Sequence, residues 1–405
     1  GARAPCRDRA GAGGVWCGGG GRTTRRWLRG HIGVPRTQYL ALGRAEGVGP
    51  LALVDSVRTQ RRCAAGRAVQ AAVKRCGLPE GVFSLLLDAG HEVVGLDSHN
   101  DYYDPALKAA REARLTSRPG YHPIRGKLEQ PGLLAELFVR HRPQAVVHLA
   151  AQAGVRHSID KPRAYVEANL QGSFELLEAA RAHPPAHLLM ASTSSVYGAN
   201  TAMPYRETDK VDTQMSFYAA TKKANEAMAH SYAHLYGLPV TMFRFFTVYG
   251  PWGRPDMAPY LFTSAILRGE PIKVFNHGDM RRDFTYVGDL VRAIRLLIDV
   301  PPVRPDSAEA IQPGDSLSPV APWRAVNIGN GESVPLLDFI AAIEDAAGVS
   351  AVKQMLPMQP GDVPATWADT TLLRRLTGYA PRTSVRDGLR AYVAWFRDYY
   401  GAPAE

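Results

Sequence analysis

Short apolar runs alternate with amphipathic stretches from residue 77 onward. HEVVGLD (91–97), QAVVHLA (144–150), HLLMAS (187–192) and LPVTMFRF (238–245) carry few charges. Such runs predict strands buried on both faces. Between them lie LLAELFVRHR (133–142), the segment 164–183 and SFYAATKKANEAMAHSYAHLYG (216–237). Each repeats apolar residues at i, i+3, i+4 and i+7, which predicts a helix, and the last of them stops at Gly237. Strand and helix in alternation predict an α/β fold: a doubly wound parallel sheet covered on both faces. Near residue 246 the pattern changes. YGPWGRPDMAPY leads into shorter elements, and residues 301–323 form a polar, Pro-rich stretch. A smaller C-terminal lobe is expected there.

The first quarter follows neither period. It is rich in Arg, Gly and Ala, and residues 1–80 hold 15 Lys and Arg against 4 Asp and Glu. That excess accounts for the whole formal charge of +10, so the rest of the chain is close to neutral. Without interleaved aromatics or a defined motif, the basic stretch does not read as a nucleic-acid module. No apolar run of membrane-spanning length is present. All four cysteines (Cys6, Cys17, Cys63, Cys76) fall in this segment, at spacings that match neither a zinc site nor a disulfide framework. No metal site is expected, and a body without cysteine suits a reducing cytoplasm. The expected organisation is an atypical segment 1–76, a cofactor-binding domain 77–245 and a mainly substrate-binding lobe 246–405.

Candidate chemistry begins with Tyr218 and Lys222 on the predicted helix 216–237. Residues at i and i+4 share a face, so the ammonium can lie beneath the phenol and stabilise its phenolate. That makes Tyr218 a usable general base. The strand HLLMAS opens into Thr193, Ser194 and Ser195, whose hydroxyls stand at the carboxyl end of a parallel strand, where such sheets bind ligands. HLAAQAG (148–154) offers small residues against which a flat cofactor can lie. Asp97 closes its strand where a dinucleotide's adenosine ribose is received, which favours NAD over NADP.

HLAAQAGVRHSI, VEANLQG, STSSVYG, YAATKK, RFFTVYGPWGRPDMA, MRRDFTYVGD, VNIGN and MQPGDV follow one another along the chain. With these motifs, residues 90 to 399 resemble the extended short-chain dehydrogenase/reductase family, the NAD-dependent epimerases and dehydratases of nucleotide sugars. The branch most similar in motif epimerises UDP-glucuronate at C4. The resemblance implies a Rossmann-type sheet, tightly held NAD, a UDP-sugar substrate and a homodimer. It implies Tyr218 as catalytic base, Lys222 as its partner and holder of the nicotinamide ribose, and Thr193 as the hydroxyl at the sugar 4-OH. Leu149, Ala150, Ala151 and Asn169 are expected beside the cofactor. Arg282 is expected to bind the diphosphate, which suits a bidentate guanidinium. A plainer reading puts Arg282 in a surface ion-pair cluster with Arg281 and Asp283.

In the dehydratases of this family Asp and Glu follow the catalytic Thr. Here the positions are Ser194 and Ser195, which cannot supply that acid and base but can donate to a sugar carboxylate. Thr247 and Arg254 are expected to join them. The reaction implied is therefore epimerisation through a 4-keto sugar. An inactive nucleotide-sugar-binding relative or N-terminally defective copy, and an epimerase of another UDP-hexose such as UDP-galactose, are the alternatives.

One expected part is missing from the pattern. Family members open with a strand and a Gly-x-x-Gly-x-x-Gly turn that lets the pyrophosphate approach the backbone. Here Cys76 and Pro79 stand where the last two glycines belong, and no glycine turn follows LALVD (51–55). Lys127 replaces an Asp that the family usually carries near the adenine.

Overall fold

The architecture comes from a computed structural model that describes residues 78–359 and 362–401. All of these lie in the second of the chain's two units, Arg62–Glu405. Cys76 and the segment 51–55 fall outside the described residues, while Pro79 stands in the first turn of the helix Leu78–Asp88.

Apolar runs become strands where expected: β1 (Val93–Asp97), β2 (Tyr121–Arg125), β3 (Ala145–His148), β4 (His187–Thr193) and β5 (Val240–Phe245). Five further strands follow before residue 330: β6 (Thr247–Tyr249), β7 (Ile272–Val274), β8 (Arg281–Arg282), β9 (Phe284–Tyr286) and β10 (Trp323–Ile328). The main sheet has the order β10-β5-β4-β3, and every neighbouring pair in it is parallel. β1 and β2 form a parallel pair of their own among the described strands.

Side chains alternate across the main sheet, as strand geometry requires. Val146, Leu188, Met190, Val240 and Met242 face one apolar cluster, with Leu134, Phe138, Leu176, Leu177 and Ala233 from the covering helices. Val147, Leu189, Ala191 and Phe243 face the other, with Phe83, Leu86, Leu290 and Ile294. Leu96 joins the first cluster and Val93 the second, so β1 shares both cores. Two covered faces explain why the strands read as continuous apolar runs.

β10 was not evident as a strand from its sequence pattern. It lies far beyond residue 246, yet it pairs with β5 from Trp323↔Val240 to Ile328↔Phe245. The helix Val287–Ile298 likewise returns, packing on the helix Leu78–Asp88. The helix Thr371–Thr377 does the same through Leu372 and Leu373, while most other C-terminal elements build a third core around Phe284, Phe339, Ile340, Tyr392 and Phe396. Helices Ala258–Leu267, Leu336–Ala347 and Val385–Tyr400 enclose it.

Candidate active site

Register places the chemistry. Thr193 and Phe245 are direct partners at the carboxyl ends of β4 and β5, where β3 also ends. A cavity of about 270 Å³ opens there, lined by Leu149, Ala151, Ala153, Gly154, Val155, the run Ala191–Ser195, Tyr218, Lys222, the run Phe245–Val248, Arg254 and Met257.

Its floor is shaped by turns that the local sequence dictates. The chain leaves β4 through a 3-10 turn, Ser194–Tyr197, capped by Thr193. The Ser195 N–H donates to Thr193 Oγ1 (3.2 Å), and that hydroxyl donates to Ser195 Oγ (3.2 Å). Gly198 closes the turn at φ +58, where an added Cβ would lie 1.9 Å from the Thr213 carbonyl oxygen. Only glycine fits. Gly154, in the loop after β3, sits at φ +113, a conformation that likewise favours glycine.

Tyr218 and Lys222 lie one turn apart on the helix Phe217–Tyr236, which Ser216 caps by accepting the Ala219 N–H at 3.1 Å. Tyr218 occupies its first turn, where the unpaired N–H groups and the helix dipole favour negative charge. Its ring meets Tyr165 edge to face at 6.1 Å. Lys222 is 1% exposed, and its Nζ has no protein partner among the described residues. Burial pulls its pKa down to about 8, against the supporting charge of Glu226.

Asn169 sits in a π-helical segment, Val166–Gln171, and is fully buried outside the cavity lining. Its Oδ1 accepts the Gln152 N–H (2.7 Å), while its Nδ2 donates to the Gln152 carbonyl (3.0 Å) and to Thr221 Oγ1 (3.0 Å). It pins the loop after β3 to the helix carrying Tyr218.

The expected residues therefore separate. Leu149, Ala151, Thr193, Ser194, Ser195, Tyr218, Lys222, Thr247 and Arg254 converge on the one cavity. Ala150 is buried beside it, outside the lining. Asp97 stands at the end of β1, its Oδ1 accepting the His99 N–H at 2.7 Å, and Lys127 is exposed. Arg282 lies away from the lining; its Nη1 donates to the carbonyls of Arg281 (2.9 Å) and Pro364 (3.1 Å). The ion-pair reading of Arg282 is not what the structure gives Asp283, which is fully buried and accepts the N–H groups of Asn330, Gly331 and Ala368.

Sequence reasoning missed Val155, Ala191, Phe245, Phe246, Val248 and Met257 in the lining. It also missed a buried ion pair beneath it. Arg244 donates from Nε and Nη2 to the Glu226 carboxylate (3.0 and 2.9 Å), and Ser192 Oγ donates to the same carboxylate at 2.7 Å. A lone Arg in an apolar strand run was the available signal, since such a charge requires a partner.

The model of the NAD dependent epimerase/dehydratase family matches residues 81–307. The chain is 50% identical over 315 residues to a protein of Rhizobium meliloti (strain 1021) named "Probable UDP-glucuronate 4-epimerase", covering 78% of this chain and 92% of that one. UDP-glucuronate 4-epimerase 4 of Arabidopsis thaliana is 44% identical, over 79% of this chain and 72% of its own. The crystal structure of UDP-glucuronic acid 4-epimerase from Bacillus cereus, in complex with UDP-glucuronic acid and NAD, is similar with a TM-score of 0.72. That match has 29% sequence identity and covers 82% of this chain and all of the other.

Proposed function

The chain belongs to the NAD-dependent epimerase/dehydratase family, and from that membership we propose that it interconverts UDP-glucuronate and UDP-galacturonate by epimerisation at C4. The observation that carries the reading is convergence: Tyr218, Lys222 and Thr193 line one cavity together with Ser194, Ser195, Thr247 and Arg254. The first three suit removal of a proton from a secondary alcohol. The others suit a carboxylate, because they offer three hydroxyls and one guanidinium and no titratable acid.

The residues present fit the nicotinamide end of NAD. A fully buried ammonium with no protein partner calls for an acceptor, and ribose hydroxyls supply one. Ala151, Ala153, Gly154 and Ala191 leave room for a flat ring. Lys222 would hold the ribose and Asp97 the adenosine ribose. NAD held there would supply a reversible hydride acceptor for sugar C4. Tyr218 as phenolate accepts the 4-hydroxyl proton, with Thr193 hydrogen-bonded to the same oxygen, and later gives the proton back. Lys222 keeps the phenolate charge compensated throughout. Ser194, Ser195, Thr247 and Arg254 hold the carboxylate, and Arg282 is proposed to hold the diphosphate while the 4-keto sugar turns.

The division proposed follows the expected boundaries, with 77–245 serving the cofactor and 246–405 mainly the sugar. We read the molecule as a homodimer and its compartment as a reducing cytoplasm. The first rests on a small and apolar stripe at coiled-coil spacing, with Phe217, Ala220, Ala227 and Ser231 exposed and Ala224 half-buried. Beside it, exposed Val166 and Phe174 lie on the neighbouring helical segments, which pack on the same helix. The second rests on a body without cysteine after Cys76.

The test is to incubate the purified chain with UDP-glucuronate and follow the sugar proton signals by NMR, quantifying dinucleotide released on denaturation. Appearance of UDP-galacturonate with near-stoichiometric NAD is expected. Epimerisation of UDP-glucose alone, or an empty protein that ignores added NAD, would overturn the reading.

A further inference from the structure

Arg254 reaches the cavity from a loop that two separate devices hold in place. The first holds the backbone. Arg111, on the helix Pro105–Thr116, donates from Nη2 to the carbonyls of Trp252 (2.5 Å) and Gly253 (2.9 Å) and from Nη1 to the Tyr103 hydroxyl (2.6 Å). Trp252 sits at φ +62, a conformation bulky side chains rarely adopt, so those bonds stabilise a strained turn.

The second device holds the guanidinium. Arg254 Nε donates to Asp256 Oδ1 at 2.9 Å, and Nη2 donates to Asp256 Oδ2. Asp256 Oδ2 also accepts the Tyr102 hydroxyl at 3.0 Å. Burial acts to raise the Asp256 pKa, but Arg254, the Tyr102 hydroxyl and a backbone N–H together outweigh it and the carboxyl stays below its usual range, so Asp256 is charged at neutral pH. Tyr102 is itself packed edge to face on His157 at 4.8 Å.

We propose that Asp256, anchored by Tyr102, is the positioning residue that fixes the Arg254 guanidinium plane and so sets the preference for an acidic sugar. The proposal rests on the reading that Arg254 meets the substrate carboxylate. A guanidinium bound along its Nε and Nη2 edge cannot swing about its last torsions, so the direction of its remaining N–H groups is set before substrate arrives. A carboxylate needs that planar fork in register, whereas a neutral hydroxymethyl group does not. Tyr102 follows Asp97 in the loop after β1. The anchor of the sugar-acid site thus stands in the loop that leaves the strand carrying the proposed adenosine-ribose contact.

The experiment measures the affinities of UDP-glucuronate and UDP-glucose by calorimetry, with bound NAD quantified in each sample. In the unaltered protein UDP-glucuronate should bind more tightly; absence of that preference would overturn the acid-sugar reading itself, and this proposal with it. With the preference present, Asp256→Asn should weaken UDP-glucuronate about tenfold or more while UDP-glucose changes less than about threefold. Tyr102→Phe should move the same ratio in the same direction by a smaller factor, and it carries the test if Asp256→Asn does not fold. In an Arg254→Met background, Asp256→Asn should have no further effect on the ratio. Equal weakening of both ligands would reduce the pair to a structural role. Tighter binding of UDP-glucuronate by Asp256→Asn would show a competitor for Arg254. Either result would overturn the proposal.

Discussion

Lys222 keeps its ammonium in a fully enclosed position, where burial brings its pKa down to about 8 and Glu226 acts to raise it. His148, on the facing strand, is held neutral by burial and by Lys222 itself, with its pKa lowered to about 3. The sign follows. A folded pKa below the ordinary 10.5 means that the charge is complete below about 8 and is lost as pH rises through it. Between those two values the unfolded chain binds the extra proton, so this group adds to native stability as pH rises there. For catalysis the direction is opposite, because phenolate at Tyr218 depends on the ammonium. We expect kcat/KM to fall above about pH 8. Lys222→Met should cost about 10²-fold or more in kcat and remove that alkaline limb. A limb that persists unchanged in the variant would assign it to another group. At this scale the sequence was informative about Tyr218 and Lys222, because helical spacing alone puts i and i+4 on one face. It could not tell that Asn169 acts from behind the cavity, since that depends on a contact with Gln152.

Between elements, the Arg244–Glu226 pair joins β5 to the helix of Tyr218, and Ser192 adds β4. Both side chains are almost fully buried, at 3% and 1% exposure. Removing one member leaves an uncompensated charge in the core. Glu226→Ala should therefore lose about 3–5 kcal/mol of stability in urea denaturation. An apolar replacement of both, Glu226→Met with Arg244→Leu, should recover most of it. A loss below about 1 kcal/mol for Glu226→Ala would mean that water reaches the pair. Element type was legible wherever two faces were covered: HLLMAS became β4 and LPVTMFRF became β5 nearly residue for residue. β10 was not, because WRAVNI follows a long Pro-rich stretch and its place beside β5 is a long-range pairing that no local period announces.

At the scale of the whole molecule, the stripe on the helix Phe217–Tyr236 bears on assembly. Phe174 is 48% and Phe217 41% exposed, and apolar rings so exposed beside a row of alanines favour association. Sedimentation should give a dimer for the unaltered chain, and Ala227→Arg should shift it to monomer while UDP-glucuronate still binds. A monomeric unaltered protein would refute the assembly. No helix among the described residues is long and apolar enough to cross a membrane.

The sequence by itself determined the strand and helix alternation, the Tyr218–Lys222 pair, the hydroxyl run at Thr193 and the change of texture near residue 246. These are local properties, written in periods of two and 3.6 and in turn residues such as Gly198, where the backbone admits only glycine. Tertiary structure decided which of the candidates meet. It brought Arg254 to the cavity and set Arg282 outside its lining. It drew β10 and the helix Val287–Ile298 back to the main sheet, and it gave Arg254 its Asp256 and Tyr102 supports. Those outcomes depend on distances between segments far apart in the chain, and register and core packing fix such distances only once the sheet has formed.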